Sequence, residues 1–135
     1  MNLNYFSKVR ILDGGMGQQI LAKGLKPKGS LWSGTALIEK KNHQIIIDSH
    51  LDFIKSGADV IVTNNFAGRR VRMAQNNVED LFEYANEKAG ELALKAKEIS
   101  KKNILIAGSL PAQNDTYVLD KRDSKIIEKG FYDQA

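Results

Sequence analysis

Cysteine is absent from all 135 residues, and this removes disulfides, thiolate metal sites and cysteine nucleophiles together. Histidine is scarce: two residues are too few for an all-histidine metal cage, so any metal would need ligands from elsewhere. No charge-free apolar run approaches the ~18–20 residues that cross a bilayer, and no secretory apolar region follows the first eight residues. No membrane partner and a cytoplasmic setting are therefore expected. Charge of one sign is also in short supply, with Lys+Arg 20 against Asp+Glu 16 and a net charge of +4. The densest basic cluster, Arg69, Arg70 and Arg72, has no interleaved aromatics and belongs to no nucleic-acid-reading motif. A solvated basic surface without a nucleic-acid partner is the expectation.

What is present, 42% hydrophobic and 27% charged residues, is the composition of one globular domain or part of a larger one. The length suits a single core, whereas a barrel of eight βα units usually takes about 250 residues. Three short apolar runs end in small or polar residues: Val9-Arg10-Ile11-Leu12 before Asp13-Gly14, Asp59-Val60-Ile61-Val62 before Thr63-Asn64, and Ile104-Leu105-Ile106-Ala107 before Gly108-Ser109. Branched aliphatic runs of this length predict strands of a parallel sheet covered on both faces.

Helical patterns lie between them. The first spans 16–23 and is closed by Gly24. The second starts near Asn42 as N-cap, puts Ile47, Leu51 and Ile54 on one face and ends with Gly57 at C′. The third spans about 78–101, with Leu81, Ala85, Leu92, Ala96 and Ile99 inward and Glu87, Glu91 and Lys95 outward. A short turn over 34–39 has Ser33 as a possible cap, and a polar loop over 113–123 precedes another helix near Ser124. The order βαβαβ specifies an α/β fold with parallel strands. The last residues carry neither a capping signal nor a fourth strand, so the chain reads as cut within a unit.

In parallel α/β folds ligands bind beyond the carboxyl ends of the strands, which makes Asp13-Gly14-Gly15-Met16-Gly17, Thr63-Asn64-Asn65 and Gly108-Ser109 the candidates. The glycines invite a dinucleotide reading, but the third glycine of that fingerprint falls on Ile20 and no acid closes the second strand. Asp13 would also repel a pyrophosphate. A carboxylate there suits an ammonium group, with Gly14 and Gly15 admitting a small ligand close to the main chain. The plainer alternative makes Asp13 the cap of the first helix and the glycines its turn. Thr63, Asn64 and Asn65 can orient a ligand but move no proton at neutral pH. Ser109 has no paired histidine in its sequence context. His43 and His50 lie seven apart, about 10 Å along a helix, too far for a shared metal. His50 reads as a packing or hydrogen-bonding residue and His43 as exposed. Trp32 reads as an anchor over the sheet end or a wall of the cleft.

Four stretches together resemble the N-terminal part of the homocysteine S-methyltransferase family. They are Ile11-Leu12-Asp13-Gly14-Gly15-Met16-Gly17, Leu31-Trp32-Ser33 with Ala36-Leu37-Ile38-Glu39, His50 through Gly57-Ala58-Asp59-Val60-Ile61-Val62-Thr63-Asn64, and Ala107-Gly108-Ser109-Leu110-Pro111. The resemblance implies that residues 1–135 are the first three βα units of a homocysteine-binding (β/α)8 TIM barrel. It implies methyl transfer to a zinc-bound homocysteine thiolate, giving methionine, with an unidentified methyl donor as second small-molecule partner. Asp13, Gly14, Gly15, Thr63 and Asn64 would form the substrate-binding wall, and Tyr117 would sit near its mouth. The family holds zinc with three cysteines from late strands, and these ligands are absent from this chain, to which neither metal ligands nor catalytic residues are assigned. The expectation is a fragment, inactive and poorly stable alone. The rival reading is a stand-alone non-catalytic α/β module that binds a small amino-acid-like ligand or a protein partner.

Overall fold

The structure is a computed structural model that describes residues 3–135. Eight regular elements matter here: α1 (Met16–Ala22), α2 (Thr35–Ile38), α3 (His43–Lys55), β1 (Val60–Val62), α4 (Arg70–Ala74), α5 (Phe82–Ser100), β2 (Leu105–Ala107) and α6 (Ser124–Gln134). The result is a mixed helix and strand fold around a small parallel sheet, with β1 paired to β2 in the register Val60↔Leu105, Ile61↔Ile106, Val62↔Ala107.

Helix α3 forms where the 3.6-residue period was legible, burying Ile46, Ile47, Ser49, His50 and Ile54. Its end is a Schellman turn: Ala58 N donates to Phe53 O at 3.0 Å and Gly57 N to Ile54 O at 3.3 Å. Gly57 sits there at φ +108, a conformation a side chain would strain. Strand β1 starts three residues later, so this turn sets where Thr63 and Asn64 emerge. Helix α5 presents Ala85, Ala89, Ala93 and Ala96 to the core, small residues that let its backbone approach α3 closely. Ile20 of α1, Leu37 of α2 and Ile61 of β1 are fully buried in the same cluster, each worth about 1.5–3 kcal/mol of burial.

Several expectations need correction. The first apolar run forms no strand but a single parallel bridge, Leu12↔Val60. The cause is Asp59: its side chain takes the Ile11 N–H at 2.9 Å, a donor that a continued ladder would need. Nor is this segment covered on both faces, since Val9, Ile11 and Leu12 are exposed. The observed sheet therefore has two strands rather than three.

Asn42 does not cap α3 with its side chain; its Nδ2 donates to Glu39 Oε2 at 2.8 Å instead. Ser33 caps nothing, because the residue before α2 is Gly34. Ile99 is exposed: the final turn of α5 runs beyond the edge of the core. Glu87, Glu91 and Lys95 do face outward, although the ion pair formed is Lys88 with Glu91. His43 is half-buried, its Nε2 lying 2.9 Å from Leu37 O. His50 is a packing residue, fully buried with neither ring nitrogen partnered among the described residues. Arg69, expected on a solvated surface, is 1% exposed. Among the described residues no helix is long and apolar enough to cross a membrane.

Candidate functional site

The parallel strands point their carboxyl ends to one side, where the segments after residue 12, after β1 and after β2 meet. Thr63 ties the last two together. Its N–H donates to Ala107 O at 2.9 Å, its hydroxyl donates to Asn65 Oδ1 at 2.7 Å, and it accepts the Ser109 N–H at 3.1 Å. Asn65 is held in turn by Asn86 of α5, whose Oδ1 accepts its amide at 2.9 Å. Asn64 donates to Ser33 O at 3.2 Å and so fixes the loop that carries Trp32. Thr63 and Asn64 are thus buried and hydrogen-bonded within the protein, rigid wall more than free ligand-binding group.

Beside this wall lies a cavity of about 720 Å³, lined by all five sequence-predicted residues, Asp13, Gly14, Gly15, Thr63 and Asn64. Asp13 does not cap α1: the residue before that helix is Gly15, with no side-chain cap bond. Its Oδ2 accepts the Val62 N–H at 2.8 Å, and its own N–H donates to Val60 O at 3.0 Å. The carboxylate is therefore aimed across the strand ends by two backbone contacts with β1. Burial pushes its pKa up, and the Val62 and Asp13 amides oppose that shift. A half-buried carboxylate of this kind gains from a cation more than one in open water does.

Two further features shape the cavity. Trp32 has φ +48, 40% of it is exposed, and its ring covers α1 so closely that a Cβ on Gly17 would lie 2.4 Å from it. It lines the cavity, as the expectation of a cleft wall allowed. Tyr117 lies at the mouth, fully exposed and at φ +68.

The residue that sequence reading missed is Arg69, which lines the same cavity. The signal was at hand, since the rule that selected Thr63 applies to the rest of the loop after β1. Its charge assigned it to solvent instead. No group of three or more His, Cys, Asp or Glu among the described residues is placed to hold a metal ion. Neither histidine lines the cavity among the described residues.

The homocysteine S-methyltransferase family profile matches residues 10–135. Homocysteine S-methyltransferase of Escherichia coli is 30% identical over 109 residues, which make up 76% of this chain and 34% of the relative. Betaine-homocysteine S-methyltransferase of Drosophila melanogaster is 32% identical over 94 residues, covering 65% of this chain and 25% of the relative. The crystal structure of the E. coli homocysteine methyltransferase in its metallated form superposes with a TM-score of 0.66 at 29% identity, covering 78% of this chain and 39% of that one. The chain thus spans between a quarter and two fifths of the length of these relatives.

Proposed function

The chain belongs to the homocysteine S-methyltransferase family, and on that premise we propose that it forms the amino-acid-gripping wall of a (β/α)8 barrel that methylates homocysteine to methionine. The observation that carries this reading is Asp13, a half-buried carboxylate aimed by the Val62 amide at the rim of a cavity of about 720 Å³. Its partner is the ammonium group of homocysteine. Gly14 and Gly15 line the cavity with backbone, against which the amino acid can lie, and a Cβ on Gly14 would meet the Phe53 ring of α3 at 2.9 Å. Thr63 and Asn64, locked by their own hydrogen bonds, hold the far wall in shape.

Gripping one end of the substrate leaves its thiol free to reach the methyl donor. In the transfer the sulfur–carbon bond forms as the donor's bond to that methyl breaks, the electron pair leaving with the donor. Positioning of this kind lowers the barrier by removing the entropy of a bimolecular encounter. The family's zinc, which would keep the thiol deprotonated, does not fit this chain's own donors: cysteine is absent, and no cluster of three ligating side chains exists among the described residues. A cytoplasmic setting accords with the absence of disulfide chemistry.

Calorimetric titration with L-homocysteine tests the reading. Asp13→Asn, which keeps shape and removes charge, should weaken binding roughly tenfold or more, the range for a hydrogen bond to a charged group. Equal affinity in the two proteins would remove Asp13 from the site and the proposal with it.

A further inference from the structure

The cavity that takes up Asp13 has a second charged wall, of opposite sign. Arg69 is 1% exposed and lines it, yet of its three side-chain nitrogens only Nη2 is used, donating to Thr116 Oγ1 at 3.1 Å. Nε and Nη1 are buried without a hydrogen-bond partner among the described residues. A guanidinium presents its donors as a planar fork that matches a carboxylate with two parallel bonds.

Among the described residues no acid satisfies this guanidinium. Asp115, which favours the charged form of Arg69, is engaged by Arg72 at 3.0 Å and by Gln75 at 3.3 Å. Arg72 also lines the cavity and adds positive charge there. Phe66 stands on one side, its ring centroid 5.2 Å from the Arg69 guanidinium carbon, and keeps the group from swinging toward solvent on that face. Burial and Arg72 both pull the Arg69 pKa down, but a guanidinium begins so far above neutrality that it stays charged.

We propose that Arg69 is a carboxylate-binding residue, its unpartnered Nη1 and the second hydrogen of the adjacent Nη2 forming the edge that pairs with the carboxylate of a substrate held in the same cavity as Asp13. The proposal rests on the reading of the cavity as a substrate site and deepens it by naming the second recognised group. A carboxylate can come from homocysteine itself or from a zwitterionic methyl donor. A neutral or purely cationic donor would leave the fork unanswered unless homocysteine fills it.

Trp32 is the chain's single tryptophan and lines this cavity, so its fluorescence reports occupancy. The full chain is titrated with two pairs of probes, L-homocysteine against 3-aminopropanethiol and glycine betaine against choline, each pair differing by the carboxylate. Wild type should prefer the carboxylate-bearing member of at least one pair by about tenfold or more; the pair that shows it identifies the source. Arg69→Met should abolish that preference. Arg69→Lys should restore part of it, because the charge returns without the fork.

Asp13→Asn separates the two ideas. It should weaken both amine-bearing thiols while leaving the carboxylate preference in place. If instead Asp13→Asn has no effect but Arg69→Met abolishes the preference, the placing of the amine falls and Arg69 stands. A preference that survives in a folded Arg69→Met, checked by circular dichroism, or no preference in either pair, overturns the assignment of Arg69.

Discussion

At the scale of single residues, the fold handles two buried polar groups and one half-buried one in three ways. Burial raises the Asp13 pKa and backbone amides oppose that shift, Arg69 keeps its charge because a guanidinium cannot shed it, and His50 gives its charge up. His50 is fully buried on α3, and burial lowers its pKa from 6.5 to about 4. Because the folded value lies below the unfolded one, the unfolded chain takes up a proton in that interval while the native chain does not. Stability from this residue is therefore present above pH 6.5 and is lost as pH falls toward 4. The loss is on the order of 3 kcal/mol, at 1.36 kcal/mol per pKa unit. Urea unfolding at pH 7 and at pH 4.5 should show most of it in wild type, and His50→Leu, which cannot titrate, should lack that share. An equal loss in both proteins would mean that other groups carry the acid sensitivity. None of this could be read from the sequence for Arg69: charge argues for solvent, and only the packing of Phe66, Thr116 and the loop after β1 shows otherwise.

At the scale of elements, the parts legible in advance were those whose signals are local. The alanines of α5, the Schellman glycine after α3 and the apolar runs of β1 and β2 each lie within a few residues of what they specify. The first run failed as a strand because a residue 48 positions away, Asp59, takes the Ile11 amide. Ile99 failed because periodicity says which face is apolar but not where the core stops. That the residues after the strands line one cavity was legible from the rule about strand ends, whereas the commitment of Thr63 and Asn64 to internal hydrogen bonds was not.

The same distinction between local preference and tertiary contact decides what two helix glycines do. In isolation, Gly→Ala within a helix gains up to about 1 kcal/mol. At Gly90 in α5 an added Cβ meets nothing within 4 Å, so Gly90→Ala should raise stability by roughly 0.5–1 kcal/mol. At Gly17 in α1 the Cβ would come within 2.4 Å of the Trp32 ring, and the ring must move. Overpacking costs about 1–3 kcal/mol, which exceeds the helical gain. Gly17→Ala should accordingly lower the melting temperature and shift the Trp32 emission to longer wavelength. An unshifted spectrum with raised stability would show that the ring does not sit on α1.

At the scale of the whole molecule, burial is one-sided. The core gathers where α3, α5 and the inner face of β1 meet, and Ile46, Ile54, Ile61 and Ala93 are almost or completely shielded. On the sheet margin that carries the Leu12↔Val60 bridge, Val9 is 94% exposed and Ile11 59%. Apolar residues beside strand backbone are a template for association, which natural sheets usually blunt with charge or cover with another element. Among the described residues the cover here comes from Tyr5 and Arg10, stacked 3.9 Å apart, with Tyr5 Oη donating to Asp59 O at 3.1 Å. The 135-residue chain in dilute buffer should therefore show a weight-average mass that rises with concentration through the micromolar range. The variant Val9→Thr with Ile11→Thr keeps β-branching, and so strand propensity, while removing apolar surface. Because both positions are exposed, folding stability should change by no more than about 0.5 kcal/mol. Sedimentation velocity should then move toward the monomer at every concentration. If the double variant associates as strongly as wild type, contacts elsewhere drive the association, and the exposed margin is well enough protected by Tyr5 and Arg10.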